Sequence, residues 1–325
     1  MPIELLPNLF KIEVPLPGTP LKRLNSYFIK GQDKHLMIDT GFNHPESREA
    51  VTAALQELNV TPADCDFYIT HQHADHSGGV AYLATPTSNV YCSQHDADEI
   101  TRYIKGNYWE LLGYQQRSYG FPPDILQETI NNHPANKKGA SCEVAFTTVG
   151  EGDRIEVGGY KFRVLLTPGH TLGHTCLYDK EKKLLISGDH ILGDITPHIT
   201  VWPLMVNSLE RYLESLDKIA KFDIELTLPG HRSPITDCKK RIQELKLHHE
   251  RRLAEALEIV AEGSCTAYQA AQHMTWDLTY ASFEEFPFPQ KWFATGETAA
   301  HLEWLVQNQA VVKEIKDEKY IFSLA

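Results

Sequence analysis

The sequence predicts a layered α/β fold (α+β in its details) followed by a smaller helical module. Three observations carry this. Short β-leaning runs alternate with helical periods over about the first 230 residues. Several of those runs end in turns that hold a glycine beside a histidine or aspartate. From residue 237 the pattern changes to one long charged helix, then short helices and a hairpin.

The elements follow in order. Residues 10–14, 26–29 and 35–38 are strand-like and are separated by Pro-Gly, Lys-Gly and Gln-Asp punctuation. Residues 46–58 show a helical period that puts Ala50, Val51, Ala54, Leu55 and Leu58 on one face. A strand at 66–70 runs into a dense histidine cluster. Further strands are expected at 89–92, 144–148, 154–167, 174–179, 183–188 and 225–228, with a helix at 208–220. Residues 95–137 interrupt this rhythm as a helical, aromatic insert containing Tyr103, Tyr108, Trp109, Tyr114, Tyr119 and Phe121. It reads as a helical pair with its own small core, and Tyr108 and Trp109 as candidates for the wall of a substrate pocket. Residues 237–262 form a long helix with Ile242, Leu245, Leu253, Leu257 and Val260 as its apolar stripe, ended by Gly263. His248 and His249 on that helix read as solvated. A short helix at 266–273, an aromatic loop at 276–293, a helix at 297–307 and a hairpin of 311–315 with 320–322 complete the chain. The expected division is therefore 1–236 and 237–325.

Composition bounds the function. The 325 residues are 42% hydrophobic and 23% charged, the balance of a globular protein rather than a disordered one. A formal charge of −12 disfavours general binding to nucleic acid or to an anionic membrane. No basic, apolar leader is visible at the start, and no apolar run approaches the ~20 residues of a membrane span. Six scattered cysteines without a Cys-x-x-Cys pair suit reduced thiols, so a cytoplasmic protein is expected. Histidine stands out at 16 residues, against 4 Met and 6 Cys.

Its placement explains the surplus. Thr70-His71-Gln72-His73-Ala74-Asp75-His76-Ser77-Gly78-Gly79 directly follows a strand. In an extended loop, residues two apart point the same way, so His71 and His73 can meet one ion. After the chain turns, Asp75 and His76 can face a second ion. Such a cluster is a poor choice for a core or for a plain solvated surface. Partners are available in three similar contexts: Thr167-Pro168-Gly169-His170, Ser187-Gly188-Asp189-His190 and Leu228-Pro229-Gly230-His231. Each ends a strand and presents a metal-competent side chain, so a layered sheet would collect them at one rim. One ion would take His71, His73 and His170, the other Asp75, His76 and His231. Asp189 would bridge them and leave an open position, as a catalytic site requires.

In this order and spacing, the motifs over about residues 8–235 resemble the metallo-β-lactamase superfamily. The resemblance implies a four-layer αβ/βα sandwich with its site at one edge. It implies His71, His73, Asp75, His76, His170, Asp189 and His231 as ligands of two zinc ions, with iron or manganese accepted in related thioester hydrolases. Asp39, in Met37-Ile38-Asp39-Thr40-Gly41, matches the family's early aspartate and would support the metal loop. The implied reaction is hydrolysis by a metal-bridging hydroxide, with Asp75 and Asp189 as the catalytic carboxylates. Asp189 stands where Cys-ligand β-lactamases carry cysteine, which disfavours penicillin hydrolysis. His73 and the lack of a flavodoxin domain disfavour a flavodiiron protein. His174 and His190 are expected to support the ligands from behind, and His198 and Trp202 to line the substrate pocket.

The long helix and C-terminal module resemble the LACTB2-like branch, and the order of helices and hairpin resembles a winged helix. The expected recognition helix contains no Lys or Arg, and residues 239–325 hold 10 basic and 13 acidic side chains. A DNA reader needs the opposite balance. The module reads instead as a packing or homodimerisation unit that shapes the mouth of the site. Three functions are carried forward: a dinuclear-metal hydrolase of a small thioester, ester or lactone; an endoribonuclease or phosphodiesterase of the LACTB2-like type; and a non-enzymatic winged-helix regulator. The acidic balance favours a small-molecule substrate, and the complete ligand set favours an enzyme.

Overall fold

Side-chain alternation along the strands builds the architecture. The computed structural model describes residues 1–106, 108–277 and 279–325. Seven strands form the first sheet in sequential order: β1 (Ile3–Leu6), β2 (Leu9–Leu16), β3 (Lys22–Ile29), β4 (His35–Ile38), β5 (Cys65–Tyr68), β6 (Val90–Ser93) and β7 (Thr147–Val149). The second sheet holds β8 (Arg154–Val157), β9 (Tyr160–Leu166), β10 (Thr175–Asp179), β11 (Leu184–Gly188) and β12 (Leu226–Pro229), in the order β12-β11-β10-β9-β8. Successive strand residues face opposite ways. Tyr27 and Ile29, Leu36 and Ile38, and Tyr68 therefore join Val164, Leu177, Leu184 and Ile186 in the core between the sheets. Their neighbours Phe28, Met37 and Phe67 point outward, under α1 (Pro45–Glu57). On the far side Leu165, Cys176 and Leu185 pack beneath α8 (Ser208–Ile219) and α9 (Cys238–Glu262). The result is the four-layer αβ/βα sandwich.

Between β5 and β6 lie two single-turn helices, α2 (Ala74–Ser77) and α3 (Val80–Leu83). The aromatic insert is α4 (Gln94–Lys105), α5 (Tyr108–Ser118), α6 (Pro123–Asn132) and α7 (Pro134–Lys138). The chain ends in α10 (Ala267–His273), α11 (Phe288–Gln307) and the hairpin of β13 (Val311–Lys316) and β14 (Lys319–Leu324). The C-terminal residues build a small cluster of their own around Ala271, Phe283, Phe286 and Ala294, and most of their apolar side chains join the sandwich. Leu253, Ala267, Leu302 and Phe322 pack in one cluster with Leu165, Ile199 and Tyr212 of the sandwich. Among the described residues, no helix is long and apolar enough to cross a membrane.

Four local expectations need correction. The single strand expected at 154–167 is a hairpin, because Gly158 and Gly159 both take positive φ and turn the chain in two residues. Residues 3–6 add an edge strand that two flanking prolines obscure in the sequence. Helix α11 starts at Phe288 rather than 297, with proline in its first turn, where the missing N–H costs nothing. His249 is buried rather than solvated, its Nδ1 3.1 Å from His301 Nε2, because α11 covers that face of α9.

Candidate metal centre

Parallel pairing brings the candidate ligands to one rim. β4 runs parallel to β5, and β11 to β12, while β9 and β11 both pair antiparallel with β10. The strand ends that precede Asp39, His71, Asp189, His231 and His170 therefore emerge together. Bonds between the sheets fix their separation there: Thr175 N–H donates to Thr70 O at 2.9 Å, and Asn25 N–H to Gly230 O at 2.7 Å. Tyr27 Oη adds a bond to Pro229 O at 2.8 Å. Gly188 takes a φ of +48°, and a Cβ there would lie 2.8 Å from His174 Nε2. Only glycine lets β11 end this close to the site.

Three groups of ligand atoms converge: His71, His73 and His170; Asp75, His76 and His231; and His71, His76 and Asp189. In the first, His71 Nε2 lies 3.0 Å from His73 Nδ1 and 3.3 Å from His170 Nε2. In the second, His231 Nε2 lies 3.3 Å from both His76 Nε2 and Asp75 Oδ2. Asp189 reaches both, at 3.4 Å from His76, 3.5 Å from His231 and 3.8 Å from His170.

The opposite ring atoms decide what these contacts mean. Asp39 Oδ2 accepts from His76 Nδ1 at 2.7 Å. His198 O accepts from His170 Nδ1 at 2.7 Å, and Arg23 O from His231 Nδ1 at 2.9 Å. Thr70 donates its hydroxyl proton to Asp39 Oδ2, so it accepts from His71 Nδ1. Each partner fixes the proton on Nδ1 and leaves a lone pair on Nε2 aimed inward. As neutral rings, His71, His76, His170 and His231 cannot then hydrogen-bond to one another through Nε2, and buried Asp189 Oδ1 has no hydrogen-bond partner. The donor set thus fits cations, and its mixture of imidazole and carboxylate fits zinc-like divalent ions.

A family model for the metallo-beta-lactamase superfamily matches residues 21–231. The chain belongs to that superfamily. It is similar to a metallo-beta-lactamase family protein from Thermus thermophilus, with a TM-score of 0.82 and 27% identity over 99% of this chain and 100% of that one. The "Beta-lactamase-like protein 2 homolog" of Caenorhabditis elegans is 25% identical over 74% of this chain and 67% of its own. An "Atrochrysone carboxyl ACP thioesterase" of Aspergillus fumigatus is 25% identical over 78% and 69%. With the "Lactamase-like protein nscB" of that species the match is 25% over 76% of this chain and only 60% of the relative, so part of the relative lies outside it.

Electrostatics distinguish the candidate ligands. Burial holds the imidazoles of His71 and His73 well below their ordinary range and lowers His170 to about 4. Burial would also lower His76 and His231, but the facing carboxylates outweigh it, raising His76 and bringing His231 up to about 10. Burial would raise Asp75, yet His76 and His231 hold it down at about 2. The carboxylates therefore demand positive charge, which a bound cation provides without protonating the rings.

The surrounding residues sort clearly. Asp39 adopts φ +60° and accepts from Thr70 N–H at 2.8 Å as well as from His76. His174 accepts from Asp189 N–H at 3.2 Å and touches Thr167 Oγ1 at 2.8 Å, so it braces the Asp189 loop. His190 is buried edge-on to Tyr212, both ring nitrogens without hydrogen-bond partners. Asp96 escaped sequence reasoning because it sits in an ordinary helix start. Its carboxylate accepts from Gln72 N–H, Thr171 Oγ1 and Gly173 N–H at 2.9, 2.6 and 2.8 Å, tying the His71–His73 loop to the His170 loop.

Aromatic side chains cluster beside the candidate ligands. Trp202 lies 5.8 Å from the His73 ring and donates Nε1–H to His170 O at 3.1 Å. His198 is partly exposed beside Phe293, 5.2 Å between ring centroids. Trp109 packs 4.9 Å from His133, which also meets Trp292 and Phe293. Tyr108 does not face a pocket. It is buried in the insert core with its hydroxyl 2.8 Å from that of Tyr103, because the helical period turns it inward. His133 and Phe293 were missed in the sequence, since neither sits in a motif.

Proposed function

We propose that this chain is a dinuclear-metal hydrolase of a small thioester, ester or lactone, with His71, His73 and His170 holding one ion, Asp75, His76 and His231 the other, and Asp189 between them. The observation that carries the reading is the convergence of imidazole nitrogens on buried carboxylates, a donor set suited to cations. Divalent ions held by these residues, zinc foremost, would supply Lewis acidity towards a carbonyl and a nucleophile at neutral pH.

The protein's own residues do the rest. Asp189 is the deeper carboxylate, its side chain 9% exposed, and it sets the separation of the two halves. Asp75, at 15%, faces the opening and orients the attacking water by accepting its hydrogen bond. Trp202 beside His73, and Trp109 and Phe293 around His133, would offer an acyl group an aromatic surface near the ligands. The thioesterase among the relatives supports an acyl substrate. The charge of −12, and a helix α11 with Lys291 as its one basic residue other than histidine, speak against RNA.

The test is a zinc-loaded sample offered a thioester, a lactone, a phosphodiester and single-stranded RNA. Turnover of the thioester or lactone, lost in Asp75→Ala, is expected. RNA cleavage as the strongest activity, lost in the same variant, would replace this reading by the endoribonuclease. A purified protein that takes up no transition metal would end both.

A further inference from the structure

We infer that helix α11 is part of the metal centre: Gly296 and Glu297 are positioning residues that hold the 198–202 loop, and through it His170, against its ion. The inference rests on the metal-site reading above and adds to it a contribution from the C-terminal segment.

The 198–202 loop grips His170 twice. The carbonyl of His198 accepts from the His170 ring at Nδ1, 2.7 Å away, which fixes the ring's tautomer and direction. Trp202 Nε1–H, at the loop's other end, donates to the main-chain carbonyl of His170 at 3.1 Å. Residues 198–202 lie outside the helices and the two sheets, and Ile199 and Val201 pin them to the core while Trp202 bridges Met205, which leaves the polar side chains of His198 and Thr200 to be held from elsewhere. What stands behind it is α11. The backbone of Gly296 approaches Thr200 so closely that a Cβ there would overlap the Thr200 hydroxyl. One turn surface away, Glu297 Oε2 lies 3.6 Å from His198 Nδ1, an electrostatic contact longer than a hydrogen bond.

Glu297 is held in turn. Arg252 of α9 places Nε 3.3 Å from Glu297 Oε1, donates to Thr275 O at 2.6 Å and lies over the Trp276 ring at 4.3 Å. The main-chain carbonyl of Glu297 accepts from His301 Nδ1 at 2.8 Å, and His301 meets His249. A carboxylate mostly out of solvent, and tied to a fixed guanidinium, has little freedom to follow a moving loop. The arrangement therefore clamps one face of the loop while its other face clamps His170. Among the described residues, no hydrogen bond or ion pair joins Asp75, His76 or His231 to this loop or to α11, so its influence falls first on the His170 half of the site.

The experiment uses the full chain and two variants, Gly296→Ala and Glu297→Gln, with Glu314→Gln on the exposed hairpin as control. Zinc affinity of each equivalent is measured by competition with a chromophoric chelator, alongside Tm of the metal-free protein. Gly296→Ala should weaken one equivalent by about 10–100-fold and leave the other unchanged, the range found when groups that orient metal ligands are removed. Adding Thr200→Ala makes room for the new methyl and should restore the lost affinity. Glu297→Gln should weaken the same equivalent by a smaller factor. Unchanged affinities in both single variants, or equal loss in both equivalents tracking Tm, would overturn the inference. If Gly296→Ala does not fold, Glu297→Gln and the Gly296→Ala/Thr200→Ala pair decide it alone. A wild-type protein that binds no zinc would instead defeat the metal-site reading itself.

Discussion

His71, His73 and His170 meet as three uncharged imidazoles, whereas Asp75, His76 and His231 bring a carboxylate against two imidazoles. The neutral half offers only lone pairs; the other offers a negative charge that already pulls its rings toward the protonated state. The comparison teaches that one donor count can give two sites of different character. The carboxylate half should keep its ion longer under a chelator, because charge attraction adds to coordination. Asp189 is the exception to the division, since it reaches His76, His231 and His170 alike.

The largest effect should come from erasing that exception. Asp189→Ala removes a ligand from both halves, so both equivalents should bind more weakly. Turnover should fall by on the order of 1000-fold or more, since metal activation is worth several kcal/mol. Metal stoichiometry and kcat measured on one preparation check this. Loss of a single equivalent with the other intact would show that the halves are independent.

A smaller effect should separate direct from relayed support. Asp39 Oδ2 accepts from His76 Nδ1 directly and reaches His71 only through the Thr70 hydroxyl. Asp39→Asn should therefore weaken the carboxylate half by about 10–100-fold and the neutral half less. Thr70→Val cuts the relay alone and should weaken only the neutral half. The same chelator competition reads both, and equal losses in both halves for Thr70→Val would remove the distinction.

The same division between contiguous and distant contacts governs what the sequence makes legible. His71, His73, Asp75 and His76 are readable because a strand end and one turn place them within six residues. His170, Asp189 and His231 are readable because each follows a strand in a similar turn, and parallel pairing brings those turns together. Strand alternation likewise foretells the two sheets, since Tyr27 and Phe28 have to face opposite cores. Asp96 and Glu297 are not readable, because their partners Thr171 and Arg252 lie far along the chain and no local pattern marks them. Tyr108 misleads for the converse reason: an aromatic on a helix reports its chemistry but not the face it shows.

The smallest expected effect concerns stability rather than metal. Burial alone would raise the Glu297 carboxyl, but His198 and Arg252 outweigh it and hold it below its ordinary value of 4.5. A depressed folded-state value stabilises the protein above the unfolded pKa, and that stability is lost as pH falls below about 4.5. Burial of His301, which lowers it to about 4, acts in the same direction between its ordinary 6.5 and that value, and does so in the variant too. The metal-free wild type should therefore lose Tm more steeply below pH 4.5 than metal-free Glu297→Gln does, by a few degrees. Melting both proteins in chelator from pH 7 to pH 3 isolates this contribution, because neither then carries an ion for acid to displace. Parallel curves would mean that Glu297 shapes the loop at His170 without its charge mattering to the fold.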